Sequence, residues 1–457
     1  MNNSKIPLLT NISFSFFPIS FIIGNFAINL NLIVFCFLGL FILRSKIIKT
    51  KFDFVIKLIF FLFFLVFFST LLSLIKSVYF NEYELVYLER LFKALVFFRF
   101  FIMLVIIYLL NKYDILNFKY FFVSSACSTI LISLDLIFQY IFGFNFIGMK
   151  TYSTYRVVVN TGFFGDEFIA GGFVQNFSIF SIFFIGFLFQ NKKKLNFLIT
   201  TVVICLLGVS ILVAGNRMPL ILFLFGLFLI FISNVKLYKT LPISISILII
   251  TFMTIGSYDQ RIKNNYSAVY GNSKNILGII FKSIVSGKSE KITNEEEFVP
   301  IESPHGAVYN VVTGFHRQGH LKLFFTAIDT WEQNKIFGNG IKSFRIDCAK
   351  FLGVKKDRLC SNHPHNYYLE ILTETGVVGL TISLVLAGMF LFFIYKNFKF
   401  LSGNKLNNFI LVSAVVSLIL ELFPLKSSGS IFTTNDMAYI ILLSSIILSY
   451  KKLKKIE

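Results

Sequence analysis

The chain has 457 residues, 56% of them hydrophobic, a mean hydropathy of +0.76 and a formal net charge of +20. A water-soluble fold of this length cannot hide so much apolar surface, which excludes a soluble globular protein. The charge raises nucleic acid as a partner, but the basic residues follow a membrane pattern instead, so no nucleic-acid role is expected.

The N-terminal "MNNSKIPLLT" leads into an apolar run with no small-residue cleavage site, so no cleavable signal is expected. Runs such as "FVIKLIFFLFFLVFFSTLLSLI" exceed the roughly 20 residues that cross a bilayer. The expected fold is an all-α polytopic membrane protein with about twelve transmembrane helices and a large extracytoplasmic loop. The expected spans are 11–27, 29–44, 53–77, 89–111, 118–142, 167–189, 195–214, 217–234, 238–257, 366–396, 405–424 and 434–450. Only Gly24 and Asn25 mark the first turn. The chain thus divides into nine spans within 1–257, a loop over 258–365 and three spans within 366–457.

With the N-terminus inside, the inner connections are "LRSKIIKTK", "NKYDILNFK", "QNKKKLN", "NVKLYKT", "YKNFKFLSGNK" and the tail "KKLKKIE", and all are basic. The outer "VYFNEYELVYLE" is acidic and "LVAGN" nearly uncharged. The positive-inside rule therefore puts both termini in the cytoplasm. Two long connections, about 143–166 and 258–365, fall outside. Within the second, "ITNEEEFVPIESPHG" reads as a mobile loop. The following "HRQGHLKLFFTAIDTWEQNK" carries Leu321, Phe324, Phe325, Ile328 and Trp331 at helical spacing, an amphipathic helix on the membrane surface or capping the bundle.

Even-numbered spans begin on the outside, and a helix N-terminus attracts anions. Three polar clusters open such spans: "TGFFGDEF", "AGNRMP" and "HPHNYYLE". Together they point to an external site that handles an anion. Arg217 opposes the dipole of its own helix, which a bound phosphate would reverse; the alternative is snorkelling to lipid headgroups. Arg317 and Arg156 are either solvated or further anion contacts. Asp166 and Glu167 either suit the dipole or bind sugar hydroxyls. Asn216 and Asn366 are candidate N-caps. His365, directly before a helix start, can accept a proton from a hydroxyl, and Pro364 stiffens its link to His363. A metal on the two histidines has little support, since no HExxH or dense ligand set accompanies them. Glu370 and Glu374 share a helix face and either orient a histidine or suit the dipole. Within the spans, Arg99 and Asp135 are expected to pair, with the alternative that Arg99 helps hold a lipid pyrophosphate. Cys348 and Cys360, in the external loop, are expected to form a disulfide.

These segments resemble the O-antigen ligase and polymerase superfamily of bacterial inner-membrane glycan transferases, over a region of about 200–395. "HPHNYYLEILTETGVVGL" is similar to the family's His-Asn, Glu-Thr-Gly and Gly-Leu signature, and "VAGNRMPLILFLFGL" to its arginine helix start. Asn216 and Met218 stand where serine and glycine are common in that start. "HRQGHLKLFFTAIDTWEQNKIFGNGIKSF" resembles the family loop without its usual proline, and "NTGFFGDEFIAGGF" and "PLKSSGSIFTTND" resemble the polymerase-like branch. The resemblance implies a C-type glycosyltransferase-like fold, a polyprenyl-pyrophosphate-linked glycan donor and no cofactor or metal. It also implies that Arg217 and Arg317 hold the diphosphate and His365 activates the acceptor; beside them, Arg156, Asp166, Glu167, His363, Asn366 and Arg99 are read from the residues themselves as candidate substrate contacts. The acceptor would be a glycan or lipid A core in a ligase, or another lipid-linked glycan in a polymerase. The rival from another class, a transporter of polyisoprenoid-linked sugars, would show inverted repeats and broken helices near the midplane. Neither is visible in the sequence.

Overall fold

The computed structural model describes residues 5–44, 46–80, 85–153, 158–232, 240–266, 297–302, 308–313, 319–352, 358–398 and 405–449. The helices are α1 Lys5–Ser15, α2 Phe17–Ile23, α3 Asn25–Leu43, α4 Phe54–Tyr79, α5 Leu85–Lys112, α6 Phe118–Phe142, α7 Ala170–Leu188, α8 Lys193–Val213, α9 Arg217–Ile232 and α10 Thr240–Tyr258. They continue with α11 Gly319–Glu332, α12 Tyr367–Lys396, α13 Leu406–Glu421 and α14 Thr434–Leu448.

Among the described residues, eight helices are long and apolar enough to cross a membrane, or nine if the bent pair α1–α2 is one span. The chain is thus a multi-pass, mostly helical membrane protein. Each of the twelve expected spans overlaps a helix or the bent pair. Length alone does not make spans of α9, α13 and α14, which have 16, 16 and 15 residues, short of the roughly 20 that cross a bilayer. The first span runs earlier than the expected 11–27, from Lys5 to Ile23, with a 46° bend. Pro18 in the first turn of α2 explains the bend, because proline lacks the N–H that would continue the ladder.

α7 lies at the centre of the bundle and packs on α6, α8, α9 and α13. Its Phe177 meets Phe21, Phe121, Phe173, Phe180 and Tyr439 at ring-centroid distances of 4.9–6.5 Å. In a bilayer the helices gain little from hydrophobic transfer, so this interlocking contact is what joins them.

α12 is not one straight span. It breaks at Gly376, whose φ is 68°. The turn after α11 fills the break: Asn339 N donates to Thr373 O (3.0 Å) and Gly340 N to Glu374 O (2.9 Å). In return, Val377 N donates to Lys335 O (2.9 Å) and Val378 N to Ile336 O (3.3 Å). The backbones approach so closely that a Cβ on Gly376 would collide with Ile336, and one on Gly338 would lie 2.5 Å from Thr375 N. This is the physical reason for pairing "IFGNG" with "ETG". Arg90, 3% exposed, completes the turn by donating to Ile341 O (3.0 Å) and to Asn339 O.

One expectation is corrected outside the bundle. Part of the segment read as a mobile loop is a hairpin: Glu297–Glu302 pairs antiparallel with Val308–Thr313. Both runs are rich in β-branched and aromatic residues, which suit a strand. The amphipathic helix exists as α11, but it packs through Leu323, Thr326, Ala327 and Thr330. Phe325 and Ile328, from the apolar stripe, point outward, as on a helix that lies against a membrane surface.

Candidate functional site

The turn before α12 is built from "HPHN". Asn366 caps the helix, its Oδ1 accepting from Tyr368 N (3.0 Å) and Leu369 N (3.2 Å). His365 precedes it at φ 57°, a left-handed conformation rare outside glycine. Contacts on both sides of the residue hold that conformation. Ser428 N donates to His365 O (3.1 Å), and His365 Nδ1 lies 3.3 Å from Ser428 O. Four further hydrogen bonds fix the segment 422–434 to the first turns of α12. Asn366 Nδ2 donates to Pro424 O (2.8 Å), and Tyr368 Oη donates to Leu422 O (2.6 Å). Glu370 accepts from Ser430 Oγ (2.5 Å) and Ile431 N (2.8 Å).

The contact to Ser428 O sets the tautomer of His365. A carbonyl oxygen only accepts, so Nδ1 carries the proton and Nε2 keeps a free lone pair. His363 and His320 flank the ring, with centroids 4.2 Å and 5.2 Å away. Burial pushes the His365 imidazole below its ordinary pKa, and the neighbouring His320 adds to the effect. Burial, and then His365, push His363 down to about 4. The cluster is therefore neutral near pH 7, which suits a base rather than an acid. His363 Nε2 is buried and has no hydrogen-bond partner among the described residues.

A disulfide joins Cys348 to Cys360, with the Cα atoms 5.2 Å apart. It packs in a small buried cluster with Leu323, Ala327 and Phe344. Arg358 pairs with Asp329, and Leu359 N donates to Thr326 Oγ1 (3.2 Å). The strand leading to the histidines is thus pinned to α11.

The three polar clusters at helix starts meet at one cavity of about 270 Å³. Gly172 comes from the start of α7, Asn216 and Met218 from α9, Tyr367 from α12, and Lys426 and Ser428 from the segment that holds His365. Asn216 does not cap its own helix. Its Oδ1 accepts from Gly171 N (3.1 Å) and its Nδ2 donates to Phe168 O (2.9 Å), so it caps α7 and joins two of the three clusters. Arg217 follows it at the first position of α9 and is exposed. Asp166 and Glu167 are exposed and lie ahead of the first turn of α7, not among the cavity's lining residues. Arg156 and Arg317 lie outside the described residues.

The expected Arg99–Asp135 pair does not form. Arg99 donates to Val96 O (2.9 Å) and Thr434 Oγ1 (3.1 Å), whereas Asp135 Oδ1 accepts from Phe146 N (2.8 Å). The backbone of the 143–166 connection thus meets the Asp135 carboxylate, while Arg99 turns to α14. Two contributors were not singled out from sequence. Ser428 acts through its backbone, which no residue type announces. Arg345 is exposed, and its charge reaches His363, Lys342, Glu370 and Glu374. It sits in the short helical turn Phe344–Asp347. Among the described residues no set of three or more His, Cys, Asp or Glu side chains is placed to hold a metal ion.

No curated protein matches the chain. The family model described as O-antigen ligase matches residues 201–384, from within α8 to just past the break in α12. That interval contains Arg217, the disulfide, the "IFGNG" turn and the His363–Asn366 turn, and it places this part of the chain in the O-antigen ligase/polymerase superfamily.

Proposed function

We propose that the protein is a membrane glycosyltransferase of the O-antigen ligase type, moving a glycan from a polyprenyl (undecaprenyl) pyrophosphate donor to an acceptor hydroxyl. The reaction takes place on the periplasmic face of the bacterial inner membrane, with both termini in the cytoplasm. The observation that supports this reading most is His365: neutral, oriented by Ser428 O through Nδ1, and beside a cavity bordered by three helix starts. In the reaction the acceptor hydroxyl gives its proton to His365 Nε2 as its oxygen bonds to the anomeric carbon. The bond from that carbon to the diphosphate breaks, and the electron pair stays on the diphosphate oxygen. Arg217 and Arg317 neutralise the charge that builds there, in the place a divalent metal takes in other glycosyl transfers. The imidazolium then returns its proton to water.

Polymerisation, in which the acceptor is itself lipid-linked, uses the same chemistry and is the sibling reading. The test is turnover of purified His365→Ala with a polyprenyl-pyrophosphate glycan. General bases contribute about 10²–10⁴-fold, and a loss of that size is expected with donor binding kept. A variant that retains more than half of wild-type turnover would remove the role.

A further inference from the structure

A second cavity, of about 200 Å³, lies on the other side of the segment that holds His365. Ser428 and Gly429 face the first cavity; Phe432 and Thr434, a few residues on, face the second. Its polar lining is cationic: Lys93, Arg99 and Lys342. Lys342 Nζ makes no hydrogen bond or ion pair among the described residues, and burial followed by the charges of Arg345 and Lys93 lowers its pKa. Arg99 Nε is buried and also without a partner among the described residues.

The nearby acids form no ion pair with Lys342 or Arg99 among the described residues, although Glu374 and Glu370 attract Lys342 from farther off. Glu89 is exposed and holds Lys93 as a surface pair of little net worth. Glu370 is engaged by Ser430 and Ile431, and one oxygen of Glu374 by Lys342 N (2.6 Å). Apart from Thr434, which accepts from Arg99, the rest of the lining is apolar, and Phe92 (66% exposed) and Val96 (40% exposed) open it towards the outer face of α5. A cationic pocket with an apolar, membrane-facing rim fits a phosphate that carries a hydrocarbon tail. The cations continue through Arg345 towards His363.

We propose that this cavity binds the phosphate headgroup of a second lipid, the one that carries the acceptor. The protein would then hold two lipid phosphates, one on each side of the segment 422–434. Assigning this lipid to the acceptor rests on the transfer reading above; the presence of a second phosphate site does not.

The test counts bound farnesyl diphosphate by native mass spectrometry on the full chain in phosphatidylcholine nanodiscs. Wild type is expected to bind two. Lys342→Ala and Arg99→Gln should each weaken one site about tenfold, and Arg217→Ala should weaken the other. Lys342→Ala removes a side chain with no partner among the described residues, so it reads the site even if Arg99→Gln unfolds. Retention of both sites at wild-type affinity in Lys342→Ala would overturn the proposal. If Arg217→Ala keeps both sites while Lys342→Ala loses one, the arginine clamp fails and the second site stands. Displacement from the Lys342-dependent site by phosphatidylglycerol assigns it to lipid phosphates in general; resistance to displacement assigns it to prenyl phosphates.

Discussion

Removing the Glu370 carboxylate tests how the base is held. Glu370 is 1% exposed and accepts from Ser430 Oγ and Ile431 N. Glu370→Ala strands both donors in a buried site, at about 1–3 kcal/mol each. Segment 422–434 then loses about 2–6 kcal/mol of its attachment to α12, taking the two donors as independent. That segment carries Ser428, whose N–H and carbonyl hold His365. A shift of about 1 Å in a reacting group costs about 10²-fold in rate. The expected result is therefore a fall of about 10²-fold in kcat with the donor KM little changed. Glu370→Gln should recover much of it, because the amide oxygen accepts from Ile431 N while the amide N–H donates to a rotated Ser430 hydroxyl. Turnover by purified protein in defined lipid, with thermal unfolding measured alongside, decides the matter. Full turnover in Glu370→Ala, or a loss confined to KM, would show that Glu370 does not hold the segment that positions His365.

Four further outcomes follow. Burial and His320 lower the His365 pKa, so the neutral base survives below pH 6.5 and the acid limb of kcat/KM should fall below that value; a limb above pH 7 would contradict it. For stability, the His363 pKa drops from 6.5 to about 4 on folding. The unfolded chain then binds the proton first, and stability should fall between pH 6.5 and 4 and level off below, read by thermal unfolding across pH. Gly376→Ala places a Cβ at φ 68° against Ile336, so strain of about 1–2 kcal/mol plus the displaced turn should lower the unfolding temperature and activity together; an unchanged melting curve would show that the turn does not fill the break. Reducing the Cys348–Cys360 bridge should destabilise the chain by about 3 kcal/mol in the chain-entropy model, and alkylation of Cys360 without reductant would show that the bridge does not form.

Much of the fold was legible because lipid imposes a length and an apolar composition that a sequence displays directly. α6, read as 118–142, is observed over the same residues. The early start of α1 was hidden because Asn11 is polar, yet it is buried and bonded to Ile115 O (2.8 Å) across the bundle. The break in α12 was hidden for the opposite reason. Its apolar pattern continues through Gly376, and only the returning "IFGNG" backbone shows that the ladder is interrupted. At the site, the sequence displayed the residues that carry chemistry but not their attachments. His365 and Asn366 were visible as types at a helix start. The cross-helix capping by Asn216 and the backbone grip of Ser428 depend on which segments meet in space. The same holds for Arg99, where an arginine and an aspartate within neighbouring spans suggested a pair that their actual partners do not allow.

Incubating purified protein with a polyprenyl-pyrophosphate glycan and an acceptor in EDTA, and measuring acceptor-linked glycan and released polyprenyl pyrophosphate together, tests the transfer reaction itself. One polyprenyl pyrophosphate should be released per glycan transferred, without added metal, with near-complete loss in Arg217→Lys, which keeps the charge but not the planar fork. Movement of intact donor across a vesicle bilayer with no release of polyprenyl pyrophosphate would contradict it, as would transfer that requires Mg²⁺.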